Sequence, residues 1–211
     1  MNKLIKTLKN IWSIDELKQK ITITVILILV YRLGAQITLP GLDANVIAEA
    51  NKSGGSQGIL GLFDMFAGGA FSQASILALG IMPYISASIF MQLMSILVPQ
   101  VQKIQKEGES GRKKINQWTR YLTVIVTVFQ SLAYVAYLSR PGYAEAILPA
   151  FKPFFTLTTV IVLTSGTLFV MWLGEKIQDK GIGNGTSIII MVGILARLPQ
   201  SLILDFQSKF Q

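Results

Sequence analysis

The side chains that carry out most protein chemistry are nearly missing from this sequence. Its 211 residues include no Cys and no His. That removes thiol nucleophiles, disulfides, Cys/His metal sites and histidine acid–base work. Serine-type peptide cleavage pairs Ser with His, and metal-type cleavage needs an HExxH-like ligand set. Neither can be built here. An aspartyl type needs two carboxylates close together, and Asp64 is the one acid in its apolar stretch. The glycines of GIGNG, Gly181 to Gly185, fail the dinucleotide-binding spacing because position 186 is Thr. They read as turn residues. No enzyme, metal site or cofactor is expected. Ile81 and Ile85 lie four apart, with Pro83 between them. Four-residue spacing puts both on one helix face. Such a face can gate a pore by excluding water, or it can be ordinary helix packing.

The elements that position these residues follow from charge. Only 14% of residues are charged and 51% are apolar, against about 25% charged in ordinary globular proteins. No Asp, Glu, Lys or Arg occurs from Met65 to Gln102, from Tyr121 to Ser139, or from Pro153 to Gly174. Runs of about 20 apolar residues match the hydrocarbon core of a bilayer. The expected fold is an all-α polytopic membrane protein. Its spans are placed at about 21–38, 72–98, 121–138, 154–173 and 186–204, with an external tail at 205–211. Spans two to five hold no ionisable residue in their central parts, which argues against ion-coupled transport.

Residues 1–20 read as a cytoplasmic interfacial segment. Leu4, Ile5, Leu8, Ile11 and Trp12 recur at helical spacing opposite Lys3, Lys6 and Lys9. No small-residue cleavage site follows at a suitable distance, so the first apolar stretch is read as a retained span. Ser13 and Glu16 have capping-box spacing for a helix start. Arg32, near the far end of span one, is expected to snorkel to headgroups; pairing inside a bundle is the alternative. Gly58 to Phe66 is apolar but too short to cross, and Gly68-Gly69 follows. A re-entrant element and a surface-lying helix both fit that pattern. Pro83 is expected to bend span two from within. Val101 to Arg120 reads as a basic loop that includes Lys103, Lys106, Arg112, Lys113 and Lys114.

Of the 19 Lys and Arg, thirteen fall on one face: five in the first twenty residues, six in the basic loop and two after span four. That bias places the N-terminus in the cytoplasm. The +8 net charge is therefore read as topology and lipid contact, with no direct role toward nucleic acid. An odd span count suits one half of an inverted-repeat transporter.

Four motifs carry a resemblance. YRLGAQITLPGLD (31–43), MFAGGAFSQASILALGIMPYISASIFMQL (65–93), KEGESGRKKINQWTRY (106–121) and MWLGEKIQDKGIGNGTSIII (171–190) resemble, in order, the first-helix end, the plug with helix two, the first large cytoplasmic loop and the helix four–five connection of the SecY family. The resemblance runs from about residue 21 to 199. It implies a protein-conducting channel of the bacterial inner membrane, with ten spans in two inverted halves of five. The present chain matches the first half. It is thus expected to be a fragment, a split subunit or a half-length form, completed by a second half that supplies helices six to ten.

What the resemblance implies for residues is specific. Ile81, Ile85 and Ile190 fall on the apolar pore ring. Thr186 falls on a fourth ring position where an aliphatic residue is usual. Residues 58–72 fall on the plug, a short re-entrant helix with Leu60, Leu62, Phe63, Asp64, Met65 and Phe66, hinged at Gly68 and Gly69. Ser86, Gln92 and Gln130 are polar candidates at a lateral gate. Implied partners are SecE and SecG, a SecA motor or ribosome, the translocating polypeptide and membrane lipids. A half-size transporter or channel acting as a homodimer is the competing reading.

Overall fold

The computed structural model describes residues 14–54 and 59–196, which form helices joined by turns and short irregular segments, with two isolated β-bridges. The helices are α1 (Asp15–Gly34), α2 (Ala44–Gly54), α3 (Ile59–Phe66), α4 (Met82–Leu97), α5 (Pro99–Lys106), α6 (Glu109–Leu138), α7 (Phe155–Lys180) and α8 (Gly185–Ala196). A 3₁₀ turn spans Ala144–Ala146. Among the described residues, α6 and α7 are each long and apolar enough to cross a bilayer alone. The N-terminal interfacial pattern, Ser13 and the segments 197–204 and 205–211 lie outside the described residues. Helix α1 starts after Ile14, with Asp15 and Glu16 in its first turn, where carboxylates suit the positive end of the helix dipole.

The expected helix over 72–98 is not continuous. Residues 67–81 form a chain of turns, and α4 begins only at Met82. Gly68, Gly69, Ala74 and Gly80 take positive φ, which an α-helix cannot hold. Pro83 sits in the first turn of α4. A first-turn N–H has no intrahelical acceptor, so Pro83 removes nothing there and bends nothing. Irregular backbone at membrane depth needs protein around it, and Ala67, Ala70, Phe71, Ala74, Ser75, Leu77, Ala78 and Ile81 are all buried. Its polar groups are met by neighbours. Leu39 N–H donates to the Ala74 carbonyl (2.8 Å) and Ile76 N–H to that of Ile37 (2.9 Å). Tyr134 Oη donates to the Phe71 carbonyl (2.7 Å), and Ser75 Oγ to that of Gly34 (3.2 Å).

The expected basic loop is instead a helical elbow. Helices α4 and α5 meet at 100° across Val98-Pro99. Val101 is buried, and Gly111 of α6 presses on the Ile104 carbonyl. A residue with a Cβ could not stand there.

Helix α6 packs on both α4 and α7. Its buried stripe is Thr119, Thr123, Thr127 and Ser131, whose hydroxyls each donate to the carbonyl four residues back at 2.7–2.9 Å. Small hydroxyl residues let helices come close while their own polar groups stay bonded. Two tethers tie α6 to α7 and α1 to the α7–α8 turn. Arg120 of α6 grips Glu175 of α7 bidentately (3.0 and 2.7 Å). Thr24 Oγ1 of α1 accepts the Ile182 N–H (3.1 Å) from the α7–α8 turn.

Candidate functional site

Ile81, Ile85 and Ile190 come together. One apolar cluster holds Tyr31, Leu77, Ile81, Val170, Leu173, Ile177 and Ile189, with half-buried Ile85 and Ile190 packed against it. The cluster joins α1, α4, α7 and α8. Gly174 of α7 lies beside this cluster: a Cβ on it would stand 3.5 Å from the Cδ1 of both Ile81 and Ile189 and 3.7 Å from the Thr186 amide, ordinary van der Waals contact. Gly185 presses on the Gly174 carbonyl. The GIGNG glycines thus do more than turn the chain. Only Gly183 has positive φ; Gly185 is there for close approach, and Gly181 lies against Thr24 Oγ1.

The four expected ring residues differ in exposure. Ile81 is 4% exposed and closed in by its neighbours. Ile85, Thr186 and Ile190 are half-buried and present part of their surface outward.

The expected plug residues split into two sets. Leu62, Phe63 and Met65 of α3 are exposed, Phe66 is half-buried, and Asp64 is fully buried. Leu60 lies in α3, but its side chain is outside the described set. A helix with its charge inward and its apolar groups outward is the reverse of a water-facing one. Asp64 Oδ1 accepts the Ser72 N–H at 2.8 Å, closing the turn after α3. Gly68 and Gly69 follow with φ of 63° and 93°. Their N–H groups donate to the carbonyls of Met65 (3.1 Å) and Asp64 (2.9 Å), a left-handed helix ending.

Arg32 departs from the snorkelling expectation. Its Nη1 donates to the Gly68 carbonyl at 3.2 Å, while neighbouring Tyr31 Oη reaches the Ala67 carbonyl at 3.4 Å. The acceptors lie 36 positions along the chain, so only the tertiary fold supplies them. Gly193 of α8 completes the contact: a Cβ on it would lie 2.8 Å from the Phe66 carbonyl oxygen. Sequence reasoning missed Gly193. The available signal was a glycine inside an apolar helix with no turn to make.

Ser86, Gln92 and Gln130 do not form one site. Gln130 lines an apolar cavity of about 170 Å³ with Phe63, Phe71, Met82 and Tyr134. Gln92 lines a separate crevice between α4, α5 and α6 and bonds Ser88 Oγ at 3.4 Å. Ser86 is exposed and bonds back to the Met82 carbonyl. All three lie on α4 and α6. Lys103 and Lys106 on α5, and Arg112, Lys113 and Lys114 on α6, are exposed around the elbow. Lys113 pairs with Glu109 (2.9 Å) and Lys114 with Glu107 (3.5 Å); exposed pairs of this kind stabilise little.

A sequence model of the SecY family matches residues 75–210. The chain is 45% identical over 198 residues to the protein translocase subunit SecY of Buchnera aphidicola from Schizaphis graminum, covering 93% of this chain and 45% of that protein. It is 47% identical to the protein translocase subunit SecY of Escherichia coli K12 over 90% of this chain and 43% of that one. For Streptomyces coelicolor the identity is 44%, over 89% and 44%. The chain therefore spans slightly less than half the length of these curated relatives. Among solved structures it is similar to Sec61 in the canine ribosome–channel complex from the endoplasmic reticulum, with a TM-score of 0.56, 18% identity, and coverage of 83% of this chain and 36% of that one. A structure described as that of a protein-conducting channel gives the same values. At that identity the likeness is one of fold.

Proposed function

This chain belongs to the SecY family, and from that membership we propose that it forms one wall of a protein-conducting channel. Unfolded polypeptides would cross the membrane along that wall, and apolar segments would leave it sideways into lipid. The observation that carries the reading is the single apolar cluster of Ile81, Ile85 and Ile190 at the meeting of α1, α4, α7 and α8. Its three isoleucines can seal against water without binding a passing chain, because they offer no polar group to bond to. Ile85, Ile190 and Thr186 form its open edge, with Ile81 as backing.

Helix α3 serves as a stopper, with Leu62, Phe63 and Met65 turned outward toward the pore and Gly68-Gly69 as its hinge. The seam of α4 and α6, marked by Ser86, Gln92 and Gln130, is this half's side of the lateral gate. A second half with helices six to ten supplies the opposing wall, and SecE and SecG accompany it. A SecA motor or a ribosome feeds the polypeptide. The channel sits in a bacterial inner membrane. The basic elbow, the start of α1 and the α7–α8 turn face the cytoplasm, where positive charge is favoured, and the elbow contacts lipid headgroups.

The test is reconstitution. The chain, assembled with the remainder of its channel in vesicles with a motor, should carry a secretory precursor into the protease-protected lumen. Leaving this chain out should abolish protection. Equal protection without it would contradict the reading.

A further inference from the structure

Resting on the stopper reading of α3, the geometry points to Arg32 and Gly193 as the clamp that holds the stopper shut. Arg32 is the sole charged residue between Ile21 and Leu42. A guanidinium placed at membrane depth carries a large desolvation cost unless it finds a partner. Its partner here is the carbonyl of Gly68, in the stalk that leads out of α3. That site favours a cation twice over. The stalk continues from the C-terminal end of a helix, where the dipole is negative. A left-handed residue just past the helix also turns its carbonyl out of the helical ladder.

Gly193 closes the other side. A glycine inside a helix is less favourable than Ala, so its place in α8 needs a reason. The reason is contact. A Cβ on Gly193 would crowd the Phe66 carbonyl oxygen at 2.8 Å and touch the Gly68 nitrogen at 3.4 Å. A Cβ on Gly68 would in turn lie 2.9 Å from Gly193 Cα and 2.8 Å from Arg32 Nη1. The stalk is thus held between α1 and α8, with Tyr31 Oη on the adjacent Ala67 carbonyl.

These contacts can be made only while the stalk is seated. Displacing α3 by rotation at Gly69, beyond the Gly68 carbonyl, carries Phe66, Ala67 and Gly68 away and removes them. They therefore favour the closed state by their full differential strength. Arg32 and Gly193 are positioning residues: neither needs to touch the polypeptide.

The experiment measures resting ion conductance of the assembled channel in planar bilayers, per assembled complex. Three changes are compared: Arg32→Gln, Gly193→Ala, and deletion of residues 59–66. The deletion should raise conductance. Arg32→Gln and Gly193→Ala should each raise it about tenfold, the change that a loss of roughly 1.4 kcal/mol of closed-state preference produces. Arg32→Lys keeps the charge and a donor and should fall between the parent and Arg32→Gln. It also serves if Arg32→Gln assembles poorly. A leaky deletion with Arg32→Gln and Gly193→Ala at the parental level would overturn the clamp alone. A deletion that leaves conductance unchanged would overturn the stopper reading and the clamp with it.

Discussion

Ile81 caps the start of α4 and Ile85 lies one turn into it, and a polar substitution should act differently at each. Ile81 is closed in by its neighbours, so Ile81→Asn strands an amide in an apolar cluster at a cost of roughly 1–3 kcal/mol. Ile85 is half-buried, and an amide there can reach water. Ile85→Asn should raise resting ion leak with little change in the unfolding temperature of the purified channel. Ile81→Asn should raise leak and lower that temperature as well. Thr186→Ile should reduce leak, since it restores an aliphatic surface at the open edge. Conductance traces and thermal unfolding of the same preparations check all three. The isoleucine pair was legible in sequence because helical spacing is local. The inward turn of Arg32 was not. Snorkelling and inward bonding place the same residue in the same helix, and the acceptor comes from 36 positions away.

At the scale of elements, α6 and α7 were legible as long apolar helices, because a charge-free run of that length leaves no polar face for water. Residues 67–81 were not. Their composition is apolar enough for a helix, and what prevents one is the positive φ at Gly68, Gly69, Ala74 and Gly80. Gly80 followed by Pro83 was the available sign of a late helix start. The basic segment misled in the other direction: its charges suggested a loop, while Val101, Ile104 and Gly111 pack it as an elbow. Close helix contacts also yield a contrast. Gly185→Ala would drive a methyl into the Gly174 carbonyl and should destabilise by about 1–3 kcal/mol, as overpacking does. Thr167 of α7 is 1% exposed and its hydroxyl has no partner among the described residues. Thr167→Val keeps the shape and removes an unmet polar group, so it should be neutral or stabilising. Unfolding temperatures in detergent distinguish the two, and a stable Gly185→Ala channel would contradict the close packing of α7 on α8.

At the scale of the whole molecule, exposed apolar side chains cover much of the surface, among them Ile96, Leu97, Tyr121, Phe129 and Leu157. A water-soluble monomer does not carry so much; lipid and the opposing half of a channel would cover it. The absence of Cys makes the deciding measurement clean. Single cysteines are placed at Ile85, Ile190 and Met65, at the enclosed Ile81, and at Ile161 on the outer side of α7. A secretory polypeptide is then stalled in the assembled channel and crosslinked. Met65, Ile85 and Ile190 should crosslink to it strongly, Ile81 weakly and Ile161 not at all. Equal crosslinking at Ile161, with none at Ile85 or Ile190, would contradict the assignment of this chain as a wall of the pore.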